Sequence, residues 1–142
     1  MGVDAIYTAE AEATGDGRNG HVRTSDGLLD IDIAYPKEMG GMGGAANPEQ
    51  LFAAGYAACF HSAVRNVAGK ARVRVGPDTR ITANVGIGPD GSGGYGLQVA
   101  LAVYLPGLDQ ATAVKLVEQA HQVCPYSNAT RGNIEVVLTT IT

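Results

Sequence analysis

The segment that most constrains this chain is Asn47 to Gly69, NPEQLFAAGYAACFHSAVRNVAG, which carries every signal of a helix start and one of only two cysteines. Asn47 is a good N-cap, Pro48 fits the first helical position where no N–H is needed, and Gln50 stands where a capping box requires it. Gly69 is the expected stop. Between them nearly every face is apolar or small, so the sequence predicts a long helix buried all round. Cys59, near its middle, is either inert packing or the centre of a site.

The 142 residues suit one domain, 1–142, large enough to bury a core without staples. Hydrophobic residues make up 45% and charged residues 17%, a globular composition with no disordered tract. A net charge of −4 without any Lys/Arg run argues against nucleic acid as a partner. The N-terminal stretch lacks a basic region followed by an apolar one, and the apolar run from Leu51 to Phe60 is too short to cross a bilayer. A cytoplasmic protein with no membrane association is expected. Its two cysteines are then reduced thiols, and a disulfide between them would be catalytic or redox-sensing rather than structural. The Asn128-Ala129-Thr130 glycosylation pattern is coincidental in that setting.

Taken in order, Ala5 to Ala13 alternates as a strand, and Gly15-Asp16-Gly17 and Asn19-Gly20 mark turns on either side of Arg18. His21 to Thr24 and Leu28 to Ala34 complete a small antiparallel meander, with Ser25-Asp26-Gly27 between them. Pro36 ends it, and GGMGGAA leads to the helix as a loop. After the helix, Arg72 to Val75 is short and extended. Arg80 to Gly88, the turn PDGSGG, and Tyr95 to Leu105 form a hairpin. Asp109 caps a helix reaching about Val123, Pro125 stops it, and Asn133 to Thr140 is a last strand. Runs of strands without regular βαβ alternation predict an α+β fold with antiparallel pairing. A helix apolar on all faces needs more cover than about six short strands supply, which points to a dimer sharing that helix.

Three arrangements could carry chemistry. Gly41, Gly43 and Ala46 match a dinucleotide fingerprint, but hairpins precede them and no strand-end acid follows at the right distance, so a plain loop fits better. His121 and Cys124 share a helix face, whereas Cys59 and His61 point to nearly opposite sides, leaving too few ligands for zinc. The third is a redox thiol pair, Cys59 with Cys124. The residues alone leave it level with two unrelated buried thiols.

The segments NPEQLFAAGYAACF (Asn47 to Phe60) and VCPYSNATRGNIEV (Val123 to Val136), with Gly17-Arg18-Asn19-Gly20 followed by Ser25-Asp26-Gly27, closely resemble the signatures of the organic hydroperoxide resistance (Ohr) branch of the Ohr/OsmC family. The resemblance spans essentially the whole chain, with three separated motifs in the right order. It implies an OsmC-like α+β fold, antiparallel sheets around a long buried central helix, and an intertwined homodimer. It further implies a cysteine-based peroxidase acting on organic hydroperoxides, those of fatty acids included. By its motifs Cys59 matches the peroxidatic cysteine, Cys124 the resolving one, Arg18 the arginine that contacts the thiolate, and Glu49 the acid that orients it. No bound cofactor, metal or haem is implied. Electrons come from dihydrolipoyl groups on lipoylated proteins.

Glu49 precedes Cys59 by ten residues, about 15 Å along a helix, so one arginine would strain to serve both within a subunit. A site completed across a dimer interface, with Arg18 or Glu49 from the partner, is therefore expected. Phe52, Tyr56, Met39, Met42, Phe60 and Tyr126 lie near the motifs and are the expected lining of an apolar entrance for bulky hydroperoxides. Two other readings remain open at this point: an OsmC-type peroxidase of different oxidant preference, and a non-catalytic redox-sensing or ligand-binding module.

Overall fold

A computed structural model describes residues 2–142. They divide into two compact units, one ending at Leu51 and one running from Phe52 to Thr142.

The first unit is built on three short antiparallel strands in the order β1 (Ala11–Thr14), β2 (His21–Thr24), β3 (Asp30–Asp32). The meander is as expected, but β1 forms only at the end of the predicted Ala5 to Ala13 strand, because only that stretch faces β2. Likewise β3 keeps only the middle of Leu28 to Ala34, where it pairs with His21, Val22 and Arg23. The turn between β1 and β2 is a short 3-10 helix, Gly17–Asn19. Gly20 closes it against Thr14, where a Cβ would lie 2.1 Å from the carbonyl oxygen, so no other residue fits. Asn19 Oδ1 accepts from the Tyr35 N–H at 3.1 Å, tying the turn to the chain beyond β3.

His21, on β2, bridges two β3 carboxylates, with Nδ1 2.8 Å from Asp32 and Nε2 bonded to Asp30. Asp32 first, then Asp30, raises its pKa above 6.5 in the folded chain. The bridge is therefore complete below the unfolded imidazole value and lost as pH rises through the raised folded value. Unfolding free energy should fall with pH across that window in the native chain, and His21→Gln should remove that component of the slope. The His21 ring-proton NMR titration gives an independent check of the raised pKa.

Helix α1 spans Pro48–Lys70. Its start is reciprocal: the Gln50 N–H donates to Asn47 Oδ1 at 2.9 Å, and the Asn47 N–H donates to Gln50 Oε1 at 3.2 Å. Its end differs from expectation, since Gly69 lies inside the helix and the reversal falls on Arg72. That residue adopts φ 58° while its N–H reaches the Gly69 carbonyl and the Val73 N–H reaches that of Ala68, a Schellman closure. Of the stretch Arg72 to Val75, expected to be short and extended, Arg72 belongs to this closure, and Val73 to Val75 form no strand. A left-handed arginine costs about 1–2 kcal/mol, partly offset in a glycine variant by greater freedom of the unfolded chain. Arg72→Gly should accordingly raise the unfolding free energy by about 0.5–1 kcal/mol in urea titration, with m unchanged.

In the second unit, β4 (Arg80–Pro89) and β5 (Tyr95–Tyr104) form the expected hairpin. Helix α2 (Gln110–Val123) begins at Asp109, whose carboxylate accepts from the Thr112 N–H at 3.0 Å. Pro125 ends α2 and also opens a further helix, α3 (Pro125–Thr130), with Cys124 as the residue between the two. Strand β6 (Val136–Ile141) then pairs with β5 in parallel, Val99 opposite Val136 through Tyr104 opposite Ile141. This corrects the expectation of antiparallel pairing throughout: β5, α2, α3 and β6 make one βαβ crossover, and such a connection returns its strand parallel.

Alternation along this sheet turns Val99, Leu101 and Val103 inward against a stripe of α1, namely Tyr56, Phe60, Val64 and Val67, and against Ala113, Leu116, Val117 and Ala120 of α2. Full burial of each large member contributes about 1.5–3 kcal/mol. Helix α1 is not buried all round in the single chain. Its residues at helical spacing from Ala54 through Ala58 to Ser62 are exposed.

Candidate active site: two thiols and a paired arginine

The sequence brings two pairs of its marked residues together, one in each unit. In the first, Arg18 projects from the 3-10 turn and meets Glu49 in the first turn of α1. Nη1 donates to Oε2 at 2.9 Å and Nη2 to Oε1 at 2.8 Å, the parallel fork geometry that suits guanidinium and carboxylate. Their side chains are 31% and 11% exposed. The hydrogen bond to Arg18 holds the Glu49 carboxyl below its ordinary value, and the same bond raises Arg18. Both residues of this pair lie in the first unit.

In the second unit, Cys59 on α1 and Cys124 between α2 and α3 lie with their sulfurs 3.6 Å apart, the Cys124 thiol donating to Cys59. A disulfide requires about 2.05 Å, so these are two free thiols in contact. Cys124 is fully buried, whereas Cys59 is half-buried. Burial pushes the Cys59 thiol up from its usual value; the Tyr126 N–H pulls it down, and the neighbouring Cys124 adds to the rise.

Cys59 opens into a groove of about 510 Å³ whose apolar wall comprises Ala63, Val67, Val123 and Pro125, with Lys70 at its margin. None of the residues expected to line an entrance is among those lining this groove. Tyr56 and Phe60 are fully buried and face the sheet, which excludes them from an open surface. Met39 and Met42 are exposed on the first unit, and Phe52 packs edge-on to Tyr126 at 6.4 Å. The groove residues were legible in principle, since positions 63, 67 and 70 follow Cys59 at helical spacing.

Sequence reasoning also missed what seats α3. The Tyr126 ring lies over Gly55, where a Cβ would meet its hydroxyl at 2.7 Å and two ring carbons at 3.2 Å, and it stands 5.6 Å from the Tyr56 ring. Beneath it Ser127 and Thr130 are buried against the Tyr56 hydroxyl. Among the described residues no group of three His, Cys, Asp or Glu side chains converges to hold a metal ion, and no helix is long and apolar enough to cross a membrane.

These features define a class: an α+β protein with two contacting reduced thiols, one sealed in the core and one facing a groove. Residues 41–139 match the family described as OsmC-like protein, and the chain belongs to it. It is 53% identical, over 94% of both chains, to the organic hydroperoxide resistance protein of Xanthomonas axonopodis pv. citri. Among solved structures it resembles an organic hydroperoxide resistance protein from Legionella pneumophila, with TM-score 0.92 and 52% identity over 98% of this chain and 100% of that one. It also resembles OhrB of Bacillus subtilis, with TM-score 0.87 and 45% identity over 96% and 99% of the two chains. The fold is the α+β arrangement those structures share.

Adding a methyl group at Gly55 tests how the thiol is held. Gly55→Ala gains up to about 1 kcal/mol of helix propensity, yet it must displace the Tyr126 ring and with it the N–H on Cys59. Alkylation of Cys59 by iodoacetamide at pH 7 should slow by about two- to tenfold, the value of one such hydrogen bond. An unchanged rate would show that the N–H is held without the ring.

Proposed function

We propose that this protein is a cysteine-based peroxidase that reduces organic hydroperoxides to alcohols. The observation that carries the reading is the 3.6 Å contact between a groove-facing thiol and a buried one. The Cys59 thiolate attacks the distal peroxide oxygen, the O–O bond breaks, and the departing alkoxide takes a proton to leave as alcohol while Cys59 becomes a sulfenic acid. The Cys124 thiol then displaces water from that sulfenic acid, forming the disulfide before a second peroxide can over-oxidise Cys59. A dihydrolipoyl dithiol opens the disulfide by exchange and leaves as the cyclic disulfide. The names of the relatives from Xanthomonas axonopodis pv. citri and Bacillus subtilis, both organic hydroperoxide resistance proteins, and the apolar wall of the groove favour an organic substrate.

Burial leaves Cys59 with less thiolate than a free cysteine, so the chemistry needs a cation. We assign that role to Arg18, with Glu49 as the residue that orients it, in keeping with the match of Gly17-Arg18-Asn19-Gly20 to the family motif. Complete ionisation of an ordinary cysteine gains only about thirty-fold. The larger share of the acceleration comes from orientation and from donors aimed at the departing oxygen. The working unit in this reading is a homodimer. Ala54 and Ala58 on α1 and the strongly exposed Val3, Ile6 and Tyr7 are apolar surface that a second copy would cover.

The test follows cumene hydroperoxide consumption with dihydrolipoamide as reductant. Cys59→Ser should abolish it. Cys124→Ser should support a single oxidation and then accumulate sulfinic acid at Cys59. Arg18→Gln should lower the second-order rate by about 10²-fold, the usual loss for one preorganised donor, and Glu49→Ala should move it in the same direction. One stoichiometric oxidation of the native chain without turnover would identify a redox sensor instead.

A further inference from the structure

The hydroxyls buried beneath the thiol pair form an ordered chain. His121 Nδ1 lies 2.8 Å from Ser127 Oγ, and Ser127 Oγ lies 2.8 Å from the Tyr56 hydroxyl. That hydroxyl lies 3.2 Å from Thr130 Oγ1, which in turn donates to the Ser127 carbonyl at 3.2 Å. Tyr56 and Ser127 are fully buried and Thr130 is 4% exposed, so water has little part in satisfying them. Each hydroxyl owns one proton. All four contacts form together only in one direction: His121 Nδ1–H donates to Ser127, Ser127 to Tyr56, Tyr56 to Thr130, and Thr130 to the carbonyl. Reversing the first link leaves one of the others without a proton. Burial, with Arg131 nearby, lowers His121 and so favours its neutral ring, and the donor order of the chain places the proton of that ring on Nδ1.

The chain fastens α3 to α1 three residues before Cys59; Cys124, whose sulfur lies 3.6 Å from that of Cys59, immediately precedes α3, and the Tyr126 main chain within it lowers the Cys59 thiol. Resting on the paired-thiol reading, we infer that Tyr56, Ser127 and His121 are positioning residues that hold Cys124 over Cys59 and thereby set the stability of the disulfide they form. Neither sulfur belongs to the chain of hydroxyls. While α3 stays seated the two sulfurs start 3.6 Å apart, against about 2.05 Å in a disulfide, whereas an unseated α3 must first be found again by diffusion of a loose segment. Seating therefore appears as effective concentration of one thiol at the other.

The native protein equilibrated with lipoamide and dihydrolipoamide measures this directly. The Cys59–Cys124 dithiol is oxidised to its disulfide as lipoamide takes up two electrons and two protons, and the equilibrium constant scales with that effective concentration. Tyr56→Phe, which keeps the ring, and Ser127→Ala should each lower the constant by about tenfold, a rise of about 30 mV in reduction potential. The double variant should lose no more than either single one, because all links belong to one chain. A role confined to general fold stability would lower both redox forms alike and leave the potential unmoved. Potentials unchanged in both single variants overturn the inference, as does a native pair that lipoamide in excess fails to oxidise. Because the readout uses no peroxide, a protein that fails to turn over hydroperoxide while its variants still shift the potential would overturn the proposed function and leave this inference standing.

Discussion

The docking of α3 against α1 governs most of what this chain can do with its cysteines. A six-residue helix has no stability of its own, so its position comes from what it touches. One side is held by an aromatic ring lying on a glycine, the other by buried hydroxyls, and the sulfur contact is made by the residue immediately before it. Because interiors are close-packed, that geometry is shared among all these contacts rather than owned by the thiols. The same packing explains why a fully buried Cys124 can still be chemically relevant: its one outlet is Cys59.

The Arg18–Glu49 pair rests on a different kind of support. It is assembled from a turn that only glycine at position 20 allows and from a helix start that Asn47 and Gln50 hold from both sides. The ends of the ion pair are thus fixed by backbone hydrogen bonds before the charges meet, which lowers the side-chain entropy a bidentate contact must overcome. A surface pair of long flexible side chains would contribute little. This one has its carboxylate 11% exposed and its arginine anchored close to the main chain of a tight turn.

Elements written in local chemistry were legible in the sequence. The Asn47–Gln50 box, the Asp109 cap and the Pro89 to Gly94 turn between two alternating strands all depend on residues within a few positions of one another, and each forms as expected. The two cysteines, the arginine and the glutamate were singled out through motifs rather than through spacing, and the chain brings them together as two pairs. What was not legible depends on partners far along the chain. Pro125 is a stop for one helix and a start for the next, and only the seat for α3 decides the second role. The tie from Tyr56 to Ser127 spans 71 positions, so nothing near either residue announces it. Arg72 in a left-handed cap contradicts local preference and persists because the Ala68 and Gly69 carbonyls need donors. The apolar side chains credited to an entrance include two core residues, since apolarity near a motif does not say which way a side chain faces.

The parallel strand β6 has a consequence for the order in which the molecule becomes competent. Parallel pairing cannot begin from a tight turn, so β5 waits for its neighbour until residues 136–141 have been synthesised, and the intervening crossover holds Cys124 and all of α3. During translation Cys59 on α1 and the β4–β5 hairpin emerge before Cys124 and β6. The nascent chain therefore passes through a stage with one exposed lone thiol, and the dithiol is the last part of the second unit to be completed.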